Sequence, residues 1–154
     1  MLFFLKFGLV KIYFFYIIIT GYLIILTIID IRKKVIPDII VIYILITGLF
    51  FNIIEINGFV NIFDGIVGAI TAGLLSYFIY YFSNENFGEG DIKLLMALGL
   101  CMGPKDIVIL LFFSCLLGGF LPMILRIIKT LKIKSKIAFV PYIFLAFLIM
   151  GLIS

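Results

Sequence analysis

The chain has 154 residues, 66% hydrophobic and 13% charged, with a mean hydropathy of +1.40. Soluble domains are about 45–50% apolar, so this composition excludes a water-soluble core and leaves a polytopic membrane protein, a single domain over residues 1–154. The net charge of +4 excludes no membrane role and is no nucleic-acid signature, because the cations fall between apolar runs rather than among exposed aromatics.

Charge-free runs predict an all-α bundle of six transmembrane helices, at Ile12–Ile29, Ile39–Ile54, Gly65–Asn84, Leu94–Pro104, Ile107–Leu125 and Ile137–Ser154. About 20 helical residues cross the hydrocarbon at about 1.5 Å each, so five runs are near full length. The fourth is short and spans only with Ile92 and Lys93 included, or stays a partial helix among its neighbours. The first run ends at Asp30 without a small-x-small cleavage site, which makes it a retained anchor rather than a signal peptide. Asp38 follows Pro37 and is a natural N-cap for the second run. In the third, Gly65, Gly68, Ala69, Ala72 and Gly73 recur at helical spacing and predict one smooth packing face. Gly88-Glu89-Gly90-Asp91 opens the fourth, and Gly118-Gly119 with Pro122 marks a tight crossing or a kink in the fifth.

Orientation follows from the cations. Arg32, Lys33, Lys34, Lys93, Arg126, Lys129, Lys132, Lys134 and Lys136 fall on one side, against Lys6, Lys11 and Lys105 on the other. The positive-inside rule therefore places both termini outside and three loops, with Asp30 and Asp91, at the cytoplasmic face of the cell membrane.

The chain has no His, which excludes His-dependent triads and His-ligated metal. Cys101 and Cys115 lie inside apolar runs and form no C-x-x-C pair, so neither a zinc site nor a disulfide framework is expected. No cofactor or metal is called for. Carboxylates remain, and they are costly near hydrocarbon, so acids kept at a membrane boundary point to function. Two facing carboxyls can hydrolyse a peptide bond, one as base for water and one protonated to polarise the scissile carbonyl. Asp30 and Asp91 share a depth by the span count, as a dyad requires. Asp91 opens a helix and Asp30 closes one, so the helix dipoles make Asp91 the resting base and Asp30 the resting acid. Gly88 and Gly90 lack Cβ and allow close approach of backbone to a peptide or a second helix. Asp38 is the rival for the first acidic position. Each acid also has a plain structural reading, Asp91 as a helix cap and Asp30 as a partner for Arg32 or Lys33. A small ion- or proton-coupled transporter component using the same aspartates is the alternative from another class.

Three motifs in order resemble the type IV prepilin peptidase family, including its archaeal preflagellin-peptidase relatives. Ile29-Asp30-Ile31-Arg32 with Ile36-Pro37-Asp38 resembles the first aspartate region, and Gly88-Glu89-Gly90-Asp91-Ile92-Lys93-Leu94 resembles the G-x-G-D-x-K-L signature. Ile137-Ala138-Phe139-Val140-Pro141 resembles an I-P-F-G-P run, from which Ala138 and Val140 depart. The resemblance implies a six-span intramembrane aspartic endopeptidase that cleaves the basic leader of prepilin-like or archaellin precursors at the cytoplasmic face. It makes Asp30 and Asp91 catalytic, with Gly88, Gly90, Lys93, Pro37 and Asp38 in supporting motifs. Larger members add a cytoplasmic domain with paired C-x-x-C motifs and methylate the new N-terminus. No separate methyltransferase domain is expected within these 154 residues. The sequence assigns no oligomeric state.

Overall fold

A computed structural model describes the backbone of residues 2–53, 60–82, 88–128 and 138–153, with side chains over 14–53, 60–81, 88–119 and 138–152. The described chain is all-helical. Its elements are α1 (Leu2–Lys33), α2 (Asp38–Ile53), α3 (Ile62–Phe82), α4 (Glu89–Ile128) and α5 (Val140–Ile153). Three contain stretches long and apolar enough to cross a membrane, Phe14–Lys33, Ile62–Tyr81 and Glu89–Gly119. With 16 and 14 residues, α2 and α5 are apolar but shorter.

The fourth and fifth expected spans form one helical run, α4, broken at Gly103, where φ is 80° and ψ is 175°. The break sits at Gly103-Pro104; at Gly118-Gly119-Pro122, where a tight crossing or a kink was expected, the backbone stays helical and Gly118 packs closely on Phe139 and Tyr142. A positive φ suits Gly, and Pro104 cannot donate the helical hydrogen bond to the carbonyl of Leu100. That carbonyl instead accepts from the Asn52 side-chain Nδ2 of α2 at 2.9 Å. Asn52 is 2% exposed, so a buried amide replaces a backbone donor that the break removes. In a low-dielectric interior an orphaned carbonyl is costly, which gives a lone Asn in an apolar helix a reason to exist.

Contacts give the helix directions. α1 and α5 run antiparallel, with Val140 at Asp30 and Phe147 against Tyr16, ring centroids 5.4 Å apart. α1 and α2 are likewise antiparallel, because Phe15 meets Phe51 at 5.2 Å and Tyr22 stacks on Tyr43 at 6.5 Å. The first arm of α4 runs from Asp91 down to the break. Its second arm returns, since a Cβ on Gly118 would lie 3.0 Å from Phe139, beside Val140 and Asp30.

The small-residue face of α3 packs as the spacing predicts. Gly65, Gly68 and Ala72 are buried, and Gly65 and Gly68 lie against the backbone of Leu100, Gly99 and Gly103. Gly73 faces Met96. Between the helices, Leu23, Ile44, Leu98, Ile107, Ile143 and Phe147 are almost fully enclosed. Large apolar side chains such as Ile17, Phe63 and Leu74 face outward, at 67%, 76% and 68% exposure. Outward hydrophobicity on every helix, around a packed interior, is the surface of a membrane protein.

Candidate active site

One end of the bundle collects the C-terminus of α1 and the N-termini of α2, α4 and α5. It encloses a cavity of about 600 Å³ lined by Asp30, Lys34, Val35, Ile36, Asp38, Tyr80, Gly88, Glu89, Gly90, Asp91 and Lys93. That volume suits a ligand site. Asp30 and Asp91, 61 positions apart in the chain, thus share one cavity. Both are buried, at 5% and 6% exposure. Of the residues singled out from the sequence, Asp38, Gly88, Gly90 and Lys93 join them on the wall, whereas Pro37 does not line it.

Asp91 occupies the third helical position of α4. Its Oδ2 accepts from the Gly88 N–H at 3.2 Å, while the Asp91 N–H donates to the Gly88 carbonyl at 3.0 Å. This is the carboxylate half of a capping box, with Gly88 as N-cap. Asp91 Oδ1 is buried without a protein hydrogen-bond partner among the described residues. Asp30 belongs to the last turn of α1, but its Oδ2 accepts from the Val140 N–H at 3.1 Å. Val140 opens α5, so one of that helix's orphan donors is satisfied by an acid 110 residues away. The expected division into resting acid and resting base assumed that each aspartate answers to its own helix. Asp30 also meets the positive end of a second helix, so that argument loses its asymmetry.

The loop between α1 and α2 shapes the cavity's near wall. The Lys34 N–H donates to the Asp30 carbonyl at 2.9 Å and Lys34 takes a φ of 53°. This left-handed cap closes α1 where Gly or Asn is the usual choice. A lysine there costs about 1 kcal/mol of backbone strain. Ile36 then lies across Gly90, whose Cβ would come within 3.0 Å of the Ile36 Cβ; Gly90 is small because that side chain rests on it. At the mouth, Lys93 Nζ and Asp38 Oδ1 are 2.9 Å apart, joining α4 to α2. Asp38 is 67% exposed on its side chain and spoken for by Lys93, which makes it a poor stand-in for buried Asp30. Sequence reading missed Lys34 as a cavity residue; its signal was a cation at a cap position where Gly is expected.

The sequence model of the type IV leader peptidase family matches residues 17–123, which include α1 from its middle, the whole cavity loop and both arms of α4 about the Gly103 break. The chain belongs to the type IV leader peptidase family. Among curated relatives of this chain, the prepilin leader peptidase/N-methyltransferase of Aeromonas hydrophila is 34% identical over 84% of this chain and 46% of its own length. The protein of that name from Pectobacterium carotovorum subsp. carotovorum is 33% identical over 82% and 46% of the two chains, and that from Neisseria gonorrhoeae 32% over 73% and 40%. The chain therefore spans less than half the length of these relatives. No solved structure matches it.

Proposed function

We propose that the chain is an intramembrane aspartic endopeptidase that removes the leader of type IV pilin-like precursors at the cytoplasmic face. The observation that carries this reading is the meeting of Asp30 and Asp91 in one cavity, in a chain of the leader peptidase family. One carboxylate takes a proton from water, and the resulting hydroxide adds to the scissile carbonyl. The other carboxyl, protonated, donates to the carbonyl oxygen. Collapse of the tetrahedral intermediate breaks the C–N bond, the proton held by the base passes to the departing amine, and the hydroxyl formed from the carbonyl oxygen returns its proton to the other carboxylate. Asp91 Oδ1, without a protein partner among the described residues, is the oxygen free to meet water or substrate.

Six membrane crossings follow if each arm of α4 crosses separately and α2 and α5 cross with flanking residues. Cations support a cytoplasmic cavity: Arg32, Lys33, Lys34 and Lys93 are exposed at its end, and Lys105 lies beside the distal break. The side chains of Lys6, Lys11 and Arg126, and the whole of Lys129, Lys132, Lys134 and Lys136, lie outside the described residues. The reading takes only the peptidase half of the relatives' name.

The direct test incubates the purified chain, reconstituted in lipid, with a prepilin-like membrane precursor and follows leader loss by gel shift. Cleavage is expected; a precursor left intact by wild-type chain would sink the proposal. The Lys93–Asp38 pair gives a subtler result. Both side chains are more than half exposed, so the bond stabilises the fold by at most about 1 kcal/mol. Its proposed work is to hold the loop of Ile36 against Gly90. Asp38→Lys or Lys93→Asp alone should slow cleavage by roughly tenfold with the unfolding midpoint nearly unchanged, and the double exchange should recover most of the rate. A double exchange as slow as the singles would remove the pair from the site.

A further inference from the structure

The cavity wall carries two cations, Lys34 and Lys93, and Lys93 is engaged by Asp38 at 2.9 Å. Lys34 forms no ion pair among the described residues. Its backbone is held at φ 53° by the cap bond to the carbonyl of Asp30, a conformation that Gly would adopt without strain. Local physics therefore favours Gly at this position, and the cap alone does not account for a lysine. The residue at which that strain is retained lines the same cavity as Asp30. The other ionisable groups on that wall are Asp38, Glu89, Asp91, Lys93 and Tyr80. With Asp38 and Lys93 paired, Lys34 is the cation left to face the acids Asp30, Glu89 and Asp91.

We infer that Lys34 is a positioning residue, held by a left-handed helix cap so that its ammonium is the counter-charge against which Asp30 works. The inference rests on the peptidase reading and adds to it a residue outside the three sequence motifs. It gives a reason for the fold to accept strain at a helix end: the strained residue is the one that brings a cation to the cavity wall, beside the last turn of α1.

Three variants of the full chain in lipid separate charge from backbone. Lys34→Gly removes strain and charge, Lys34→Gln keeps the strain and removes the charge, and Lys34→Arg keeps both. Against a prepilin-like precursor, Lys34→Gly and Lys34→Gln should lose at least about tenfold in kcat with KM within about twofold, while Lys34→Arg stays within about threefold of wild type. The unfolding midpoint of Lys34→Gly should equal or exceed that of wild type. Wild-type kcat in Lys34→Gly, a rise in KM alone, an arginine variant as slow as the glutamine one, or a glycine variant that melts earlier would each overturn the assignment. Cleavage by wild-type chain alongside any of these overturns Lys34 alone; a wild-type chain that cleaves nothing brings down the peptidase reading and this inference with it.

Discussion

Asp91→Asn should abolish precursor cleavage, by a factor of about 10³ or more, while the chain still inserts and folds. The amide keeps the shape of the carboxylate, and its oxygen still accepts from the Gly88 N–H that Asp91 Oδ2 engages at 3.2 Å. What disappears is the capacity to take or give a proton at the buried oxygen that has no protein partner among the described residues. Replacing an acid at 6% exposure by a neutral amide also lowers the burial cost, so the variant should unfold at the same temperature as wild type or a higher one. Asp30→Asn should behave alike, because the amide oxygen still receives the Val140 N–H. Groups acting as one unit are not additive, so the double variant should be no slower than either single one. Gel-shift rates alongside thermal unfolding in detergent provide the measurement. Full turnover in either single variant would end the dyad proposal.

Gly68→Ala carries the largest expected stability loss. A Cβ there would run into the carbonyl oxygen of Gly99 and come within 2.7 Å of the Gly103 carbonyl carbon and 2.8 Å of its Cα. All three are backbone atoms, so no side chain can swing aside; α3 and α4 must separate at the place where Gly103 breaks the helix. Overpacking of this kind costs about 3 kcal/mol, and in a membrane bundle close backbone approach is itself a main source of cohesion. The unfolding midpoint should fall steeply, and Gly68→Leu should fail to accumulate as folded chain. Gly119 is the control, because a Cβ on it meets nothing within 4 Å, and Gly119→Ala should be neutral or slightly stabilising. Equal midpoints for the two alanine variants would refute this account of the helix contact.

Much of the molecule was readable before any coordinates. Helices follow from apolar runs between charges, because a segment in lipid must satisfy its own backbone. The small face of α3 was visible as spacing, and it packs where spacing put it. The acids stood out because carboxylates are expensive beside hydrocarbon. Other features carried a signal that was not decisive. Gly103-Pro104 is a helix-breaking pair, but Gly118-Gly119-Pro122 is an equally good one in sequence, and only packing against Gly68 and Val60 distinguishes them. Asn52 was one polar residue in an apolar run; its role needed Leu100, 48 positions away, to be left without a donor.

By itself, then, the sequence determined what is local: where the chain is apolar enough to be helical in lipid, where small residues form a stripe, and where acids and cations mark the ends. Counting spans set Asp30 and Asp91 at one depth, but tertiary structure alone decided which groups touch there. Val140 donates to Asp30, Ile36 rests on Gly90 and Lys93 reaches Asp38, across 110, 54 and 55 positions. The reason is physical. Hydrophobicity and helix signals are properties of a segment and its solvent, whereas a hydrogen-bond partner exists only once two segments have packed, and nothing in either segment's own pattern names the other.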